Sequence, residues 1–415
     1  MKKLTILFLL TAIALQAKLL KLNDCIDKAL ATHPDVRAFM LKIQQQNEGV
    51  KMERGAWLPH VSIYAEYDPQ RTYVMPQLGE FHTINDSGWS AGISASQQLF
   101  DFSRSSHSIR SAKIRHEISR LSLEETKALM RYEIRVAYAL LLVQKAALKA
   151  RQKDLNAKKA LYAQAKALVK QGLKTKADES RFLSSVRQAE DALAIAQASY
   201  EKARITLEQY IGEPIPEGTR FEEWRLENAA KSSVRTDPKQ ILANNLQVRI
   251  ARKNREASYE QFLAKRMERY GTVNLVAQAD HFDTLSRYDS TVVGVRYSAP
   301  IYSGGRLSAQ AQQSRIAEMV SAAEKDSKKR AITKEARSIL ADLKETRKRI
   351  AARLSQLRSA DETKALIKAR YEQGLATYME VLDAEAVWLD AELGLLSAYY
   401  TRLERQSRLE YLNAK

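Results

Sequence analysis

The 415-residue sequence predicts a mainly α, internally duplicated fold with a small β contribution. Three observations carry this prediction. Short patterns recur at a fixed spacing, two stretches of about 70 residues lack both Gly and Pro, and four short segments alternate apolar with polar residues. Gln171-Gly172-Leu173 recurs as Gln373-Gly374-Leu375, and Leu99-Phe100 with Arg104 recurs as Ile301-Tyr302 with Arg306, both at an offset of 202 residues. Such self-similarity marks two copies of one structural unit. Upstream the offset is 212, pairing Val36-Arg37 with Val248-Arg249 and Val61-Ser62-Ile63 with Val273-Asn274-Leu275. The ten-residue difference is expected in a loop between the strands, where insertions are tolerated.

Taken in order, Met1 to Ala17 has a basic start (Lys2, Lys3), an apolar run and a small residue before Lys18, the pattern of a secretory signal peptide. The first repeat is expected over 18–216, with a helix, a β-hairpin at 60–98 and a coiled-coil hairpin at 102–211. A linker at 217–237 follows. The second repeat spans 238–415, with its β-hairpin at 272–298 and its coiled-coil hairpin at 306–412. The long stretches Phe102–Gln171 and Arg306–Gln373 would each run roughly 100 Å as unbroken helix. In the first, Ile134, Leu141, Leu148, Leu155, Tyr162 and Val169 recur every seven residues. The return helix alternates steps of four and three through Phe182, Val186, Ala189, Leu193, Ala196, Tyr200, Ala203, Leu207 and Tyr210, and its counterpart through Leu382, Ala386, Leu389, Leu393, Leu396, Tyr400 and Leu403. A 3.5-residue repeat keeps one apolar seam against a partner helix. Gly172 and Gly374 are expected to end the long helices in the left-handed conformation.

Composition excludes several function classes. The net charge is +18, yet Lys and Arg are interspersed with Glu and Ala in helical stretches, without the aromatic residues of a base-stacking platform. Nucleic acid is not an expected partner; the charge suits phosphate-bearing lipid head groups or a conduit biased toward anions. One cysteine, Cys25, permits no intrachain disulfide. The six histidines show no metal-ligand spacing and no Gly-rich phosphate loop follows a strand, so no cofactor and no enzymatic activity are expected.

The strands sharpen the reading. Val61, Ile63, Ala65 and Tyr67 alternate with Ser62, Tyr64 and Glu66, and Trp89, Ala91, Ile93 and Ala95 with Ser90, Gly92, Ser94 and Ser96. Copy two repeats the pattern in Val273, Leu275, Ala277 and Ala279, then in Val293, Val295 and Tyr297. Period two with one apolar face suits either a small soluble sheet or a membrane barrel facing lipid. Four strands cannot close a barrel, and open edges cannot face hydrocarbon, so in a membrane several chains must share one.

At this point the chain resembles the TolC family of outer-membrane efflux proteins. The resemblance is carried by His33-Pro34-Asp35-Val36-Arg37, Gly55-Ala56-Trp57-Leu58-Pro59, Gln98-Leu99-Phe100-Asp101, Pro300-Ile301-Tyr302-Ser303-Gly304-Gly305-Arg306, the two Gly-Leu turns and Val381-Leu382-Asp383-Ala384. It implies a homotrimer in the outer membrane, with a shared 12-stranded β-barrel continued by an α-barrel across the periplasm. Its implied partners are a periplasmic adaptor protein, an inner-membrane transporter and outer-membrane lipid. Carried over by position, the adaptor-docking tips would be Gly172, Leu173, Thr175, Asp178, Gly374, Leu375 and Thr377. The acidic periplasmic aperture would be Glu380 and Asp383, with Glu at 380 where the family commonly has Asp. The resemblance implies a passive exit duct for efflux or type I secretion. The alternative from the residues alone is a secreted coiled-coil structural or adhesive protein.

Overall fold

In the computed structural model, residues 19–74, 82–216, 218–222, 237–283 and 287–414 are described. The expected signal peptide at 1–17 and most of the 217–237 linker fall outside them. A short strand β1 (Leu19–Leu20) precedes helices α1 (Leu22–Thr32) and α2 (Pro34–Gly55). Strands β2 (His60–Val74) and β3 (His82–Phe100) lead into α3 (Arg104–Lys170) and α4 (Lys176–Ile211). Strand β4 (Arg220–Phe221) and helices α5 (Pro238–Asn244) and α6 (Leu246–Met267) begin the second pass. It continues as β5 (Thr272–Asp283), β6 (Arg287–Ser298), α7 (Arg306–Glu372) and α8 (Tyr378–Leu412). Helices α3 and α7 are both 67 residues long.

The chain forms two compact units, each drawing on both halves of the sequence. The first comprises residues 1–37, 125–245 and 331–415. Its core is made of helix-pair seams. Leu155 of α3 packs with Val186, Ala189 and Leu193 of α4, and Ile350 of α7 with Leu395, Ala398 and Tyr399 of α8. Ala150 of α3 meets Ala360 of α7 and Trp388, Leu389 and Ala391 of α8, joining the pairs. Each fully buried Leu or Val contributes about 1.5–3 kcal/mol. The buried Tyr138 hydroxyl donates to the carbonyls of Leu20 and Glu222, at 2.9 and 3.2 Å, beside the parallel β1–β4 pair.

The α8 seam departs from the sequence expectation. Of the expected residues Leu389 and Leu403 are buried, but Ala386 is exposed and Leu382, Leu393, Leu396 and Tyr400 are only half-buried, whereas Val381, Ala384, Trp388, Ala391, Leu395, Ala398 and Arg402 are buried. Because α8 packs against both α7 and α3, its buried wedge lies between its two apolar rows. The seam is set one to two residues earlier than periodicity alone suggests.

The second unit, residues 38–124 and 246–330, holds an antiparallel sheet in the order β2-β3-β5-β6. The β2–β3 ladder runs from His60↔Ser96 to Val74↔His82, three pairs longer than the β5–β6 ladder from Thr272↔Ser298 to Asp283↔Arg287. So six of the ten extra residues lengthen the strands rather than a loop, which corrects the expectation; the other four lie between Val74 and His82. Helix α6 is tied down by polar contacts. His107 of α3 meets Glu260 at 2.7 Å, and Arg255 donates to the buried Glu318 of α7 at 2.9 Å. Arg315 holds the other oxygen of Glu318 at 3.0 Å, so this buried carboxylate is paired on both sides.

Candidate functional site

The tips of the two helix hairpins share one construction. Helix α3 ends with Gly172 at φ 73°, where Leu173 N–H donates to Leu168 O at 2.9 Å and Gly172 N–H to Val169 O at 3.0 Å. At the end of α7, Gly374 has φ 74°, Leu375 N–H donates to Arg370 O at 2.8 Å and Gly374 N–H to Tyr371 O at 3.0 Å. This pair of bonds satisfies carbonyls that a helix end otherwise leaves bare, and the left-handed residue it requires is why glycine stands there.

The return helices begin with matched capping boxes. Thr175 Oγ1 accepts from Asp178 N–H at 3.3 Å while Asp178 Oδ2 accepts from Thr175 N–H at 3.1 Å. Thr377 Oγ1 accepts from Glu380 N–H at 3.3 Å, and Glu380 Oε2 accepts from Thr377 N–H at 2.6 Å. The Thr175 hydroxyl, followed by its N–H, holds the Asp178 carboxyl below its ordinary range. The Thr377 N–H, followed by its hydroxyl, does the same for Glu380. Sequence reasoning separated Asp178 and Glu380 into a docking and an aperture role; in the structure both sit at the third position of a capping box.

Beneath the tips, Leu161 and Ala165 of α3, Phe182 of α4, Tyr371 of α7 and Val381 of α8 form one apolar cluster. The Phe182 ring stands edge-on to Tyr378 at 5.8 Å, and the Arg181 guanidinium lies 5.1 Å from the centre of the same ring. Above this floor Leu173 is 66% exposed and Leu375 63%. Two large apolar side chains are thus held in water on rigid turns. Asp383 is exposed one turn after Glu380, and both line a shallow groove of about 360 Å³ with Gln356, Thr363, Ile367 and Val387.

A buried ion pair nearby escaped the sequence reading. Lys364 Nζ of α7 lies 2.8 Å from Glu385 Oε2 of α8, whose residue is 3% exposed, and 3.7 Å from the centre of the Trp388 ring. No local motif announces a pair formed between two helices. The single signal was Glu385 standing beside apolar Ala384 and Ala386.

The sheet sorts its side chains by face. Val61, Ile63, Ile93, Ala277, Ala279, Val293 and Val295 share one face, on which Ile63 is 84% and Val293 73% exposed; Thr291 and the paired His281 and Asp289 stand on the same face toward its Trp89 end. Ser62, Ser94, Gln278, Tyr64, Asp280, Ser290 and Glu66 share the other, a mainly polar face that also carries Val276, Val292, Phe282 and Tyr288. At one end of the apolar face stand Tyr67 and Trp89, level with Asp283; at the other stands Tyr297, level with Val273. Ten residues of strand at 3.4 Å each, tilted about 40°, separate these levels by roughly 25 Å. That is the height of an outer-membrane apolar band flanked by aromatic girdles. Among the described residues, strands β2 and β6 each have one edge with no neighbouring strand in this sheet. Among the described residues, no helix is long and apolar enough to cross a membrane, and no group of three His, Cys, Asp or Glu could hold a metal ion.

The comparisons with known proteins agree with this geometry. A family profile described as outer membrane efflux protein matches residues 25–213 and 238–413. The outer membrane efflux protein BepC of Brucella suis biovar 1 is 24% identical over 390 residues, covering 91% of this chain and 81% of that protein. The outer membrane protein TolC of Salmonella enteritidis is 24% identical over 218 residues, 49% of this chain; the match spans 44% of that protein. Among solved structures, the outer membrane protein VceC of Vibrio cholerae superposes with a TM-score of 0.81 at 17% identity, covering 95% of this chain and 96% of that one. The fold is that of this solved outer membrane protein. The chain belongs to the outer membrane efflux protein family.

Proposed function

We propose that three copies of the chain share a 12-stranded barrel in the outer membrane, continued into the periplasm by an α-barrel made from α3, α4, α7 and α8. The protein is then a passive exit duct, driven by an inner-membrane transporter and joined to it through a periplasmic adaptor. One observation carries this reading: the apolar face of the sheet is exposed, is bounded by aromatic residues roughly 25 Å apart, and belongs to a sheet with two free edges. In hydrocarbon those edges must be paired, and copies of the same chain supply the pairing. Organisation as two repeats, 18–216 and 238–415, fits the recurrence of a 67-residue helix after each hairpin.

The tips are the docking surface in this proposal. Gly172, Thr175 and Asp178, like Gly374 and Thr377, build the turns, and Leu173 and Leu375 offer apolar surface that an adaptor can bury. Glu380 and Asp383 then ring the periplasmic aperture. The capping bonds leave Glu380 ionised yet partly satisfied, which lets several carboxylates approach one axis. Replacing Leu173 or Leu375 with Asp tests the docking role. Export is expected to be abolished while trimers persist on native gels; undiminished export would remove the tips from the docking surface.

A further inference from the structure

One row across the sheet reads Tyr64, Gly92, Asp280 and Ser290, on the polar face. Asp280 is only 9% exposed although it sits within a strand. Its Oδ1 accepts a hydrogen bond from the Tyr64 hydroxyl at 3.1 Å. Those two residues belong to β2 and β5, which are not neighbours; β3 runs between them. The bridge passes because residue 92 is glycine. A Cβ there would stand 2.2 Å from Asp280 Oδ1 and 2.6 Å from Tyr64 Cε1. The phenol ring therefore lies over Gly92, along the sheet. Glu66, Phe282 and Tyr288 occupy the next row on the same face, the two rings stacked at 4.8 Å.

We propose that this row is the ion-selective layer of the duct inside the outer membrane. Asp280 is its specificity-determining residue and Tyr64 the positioning residue that holds the carboxylate at the wall above Gly92. The inference rests on the shared-barrel reading. Twelve strands about 4.8 Å apart and tilted about 40° give a backbone radius of roughly 12 Å. Carboxylates projecting inward from that wall lie within about one Debye length of the axis, ~10 Å at 0.1 M salt, so their field reaches a passing ion. Three copies contribute three Asp280 and three Glu66 side chains. Arg296 shares the face but lies six residues farther along the ladder, opposite Asn274. The layer favours small cations. The chain's net charge of +18 would suggest the opposite sign.

The test uses the full-length protein in planar bilayers under a KCl gradient. Wild type is expected to show a K⁺/Cl⁻ permeability ratio above one, and Asp280→Asn to lower it at least twofold. Tyr64→Phe should lower it less, and Gly92→Val should reduce single-channel conductance by pushing both side chains into the lumen. A second measurement needs no variant: the wild-type ratio should fall between 0.1 and 1 M salt, as the Debye length shrinks to about 3 Å. A wild-type ratio below one, a ratio independent of salt, or channels indifferent to Asp280→Asn would overturn the layer alone. Wild-type protein that forms no channels would overturn the duct reading, and this inference with it.

Discussion

The chain turns from strand into a 67-residue helix twice, at Asp101-Phe102-Ser103 and at Ser303-Gly304-Gly305, and the two elbows reach one backbone by different chemistry. Phe102 and Ser103 have φ of 56° and 70°, and Gly304 and Gly305 have 60° and 78°. Arg104 N–H donates to Asp101 O at 3.1 Å, and Arg306 N–H to Ser303 O at 3.1 Å. In the second elbow glycine accepts the left-handed conformation without a side-chain clash. In the first, two consecutive L-residues each carry about 1–2 kcal/mol of strain. Its neighbours offset that strain. The buried Asp101 Oδ2 accepts from Ser105 N–H at 2.7 Å and from Gln98 Nε2 at 3.0 Å, and Phe102 packs on Phe100 and Tyr270, ring centres 4.9 and 5.4 Å away. A conformation can be secured by freedom in the residue itself or by contacts that leave no alternative.

Removing the contacts from the first elbow should have the largest effect on stability. Asp101→Ala strips a buried carboxylate cap and is expected to destabilise by about 2 kcal/mol, whereas Ser303→Ala should cost well under 1 kcal/mol. Denaturant unfolding of the detergent-solubilised protein measures both; equal losses would break the contrast. Next comes the exchange of backbone freedom. Gly305→Ala should cost about 1 kcal/mol, since its added Cβ meets nothing closer than Ser308 Oγ at 4.0 Å and only the conformation resists. Ser103→Gly should instead gain a few tenths to 1 kcal/mol. If Ser103→Gly destabilises, the serine is not strained.

The tips provide the smaller contrast, because there both halves use the same devices. Thr175→Ala and Thr377→Ala should each loosen the first turn of the return helix by about 1 kcal/mol, read as faster amide exchange confined to that turn. The pH dependence follows from the lowered carboxyls. Folding depresses Asp178 and Glu380 below their ordinary values of 3.8 and 4.5. Their capping contribution is therefore complete above those values and is lost as pH falls through the lower folded-state values. Tip protection factors, taken relative to intrinsic exchange, that already fall as pH is lowered through neutrality would contradict this assignment.

Much of this was legible in the residues, and the failures have physical causes. Glycine at 172 and 374, alternation in four strands and the α4 seam each reflect one residue's local preference or one packed face, so the sequence displays them directly. The α8 seam was right at Leu389 and Leu403 and misplaced elsewhere, because the helix has two packed sides and a period search cannot choose between adjacent apolar rows. Shifting the α4 seam by 202 residues turns Phe182, Val186, Ala189, Leu193 and Ala196 into Ala384, Trp388, Ala391, Leu395 and Ala398, all of them buried. The duplication thus held a signal that periodicity missed. Phe102 and Ser103 are not residues that favour left-handed backbone, and the contacts that hold them include Tyr270, 168 residues away in sequence; the one sign was their alignment with Gly304 and Gly305 at the 202-residue offset. The Lys364–Glu385 and Tyr64–Asp280 pairings follow no local motif, because each is created by tertiary packing, and Glu385 beside Ala384 and Ala386 was the one hint.

The claim on which the function rests is that copies of the chain pair the free edges of β2 and β6 within the outer membrane. Mass determination on the detergent-extracted particle, with bound detergent subtracted, tests it most directly. The account predicts a membrane-extracted particle of three chains. A monomer released into buffer without detergent would contradict it.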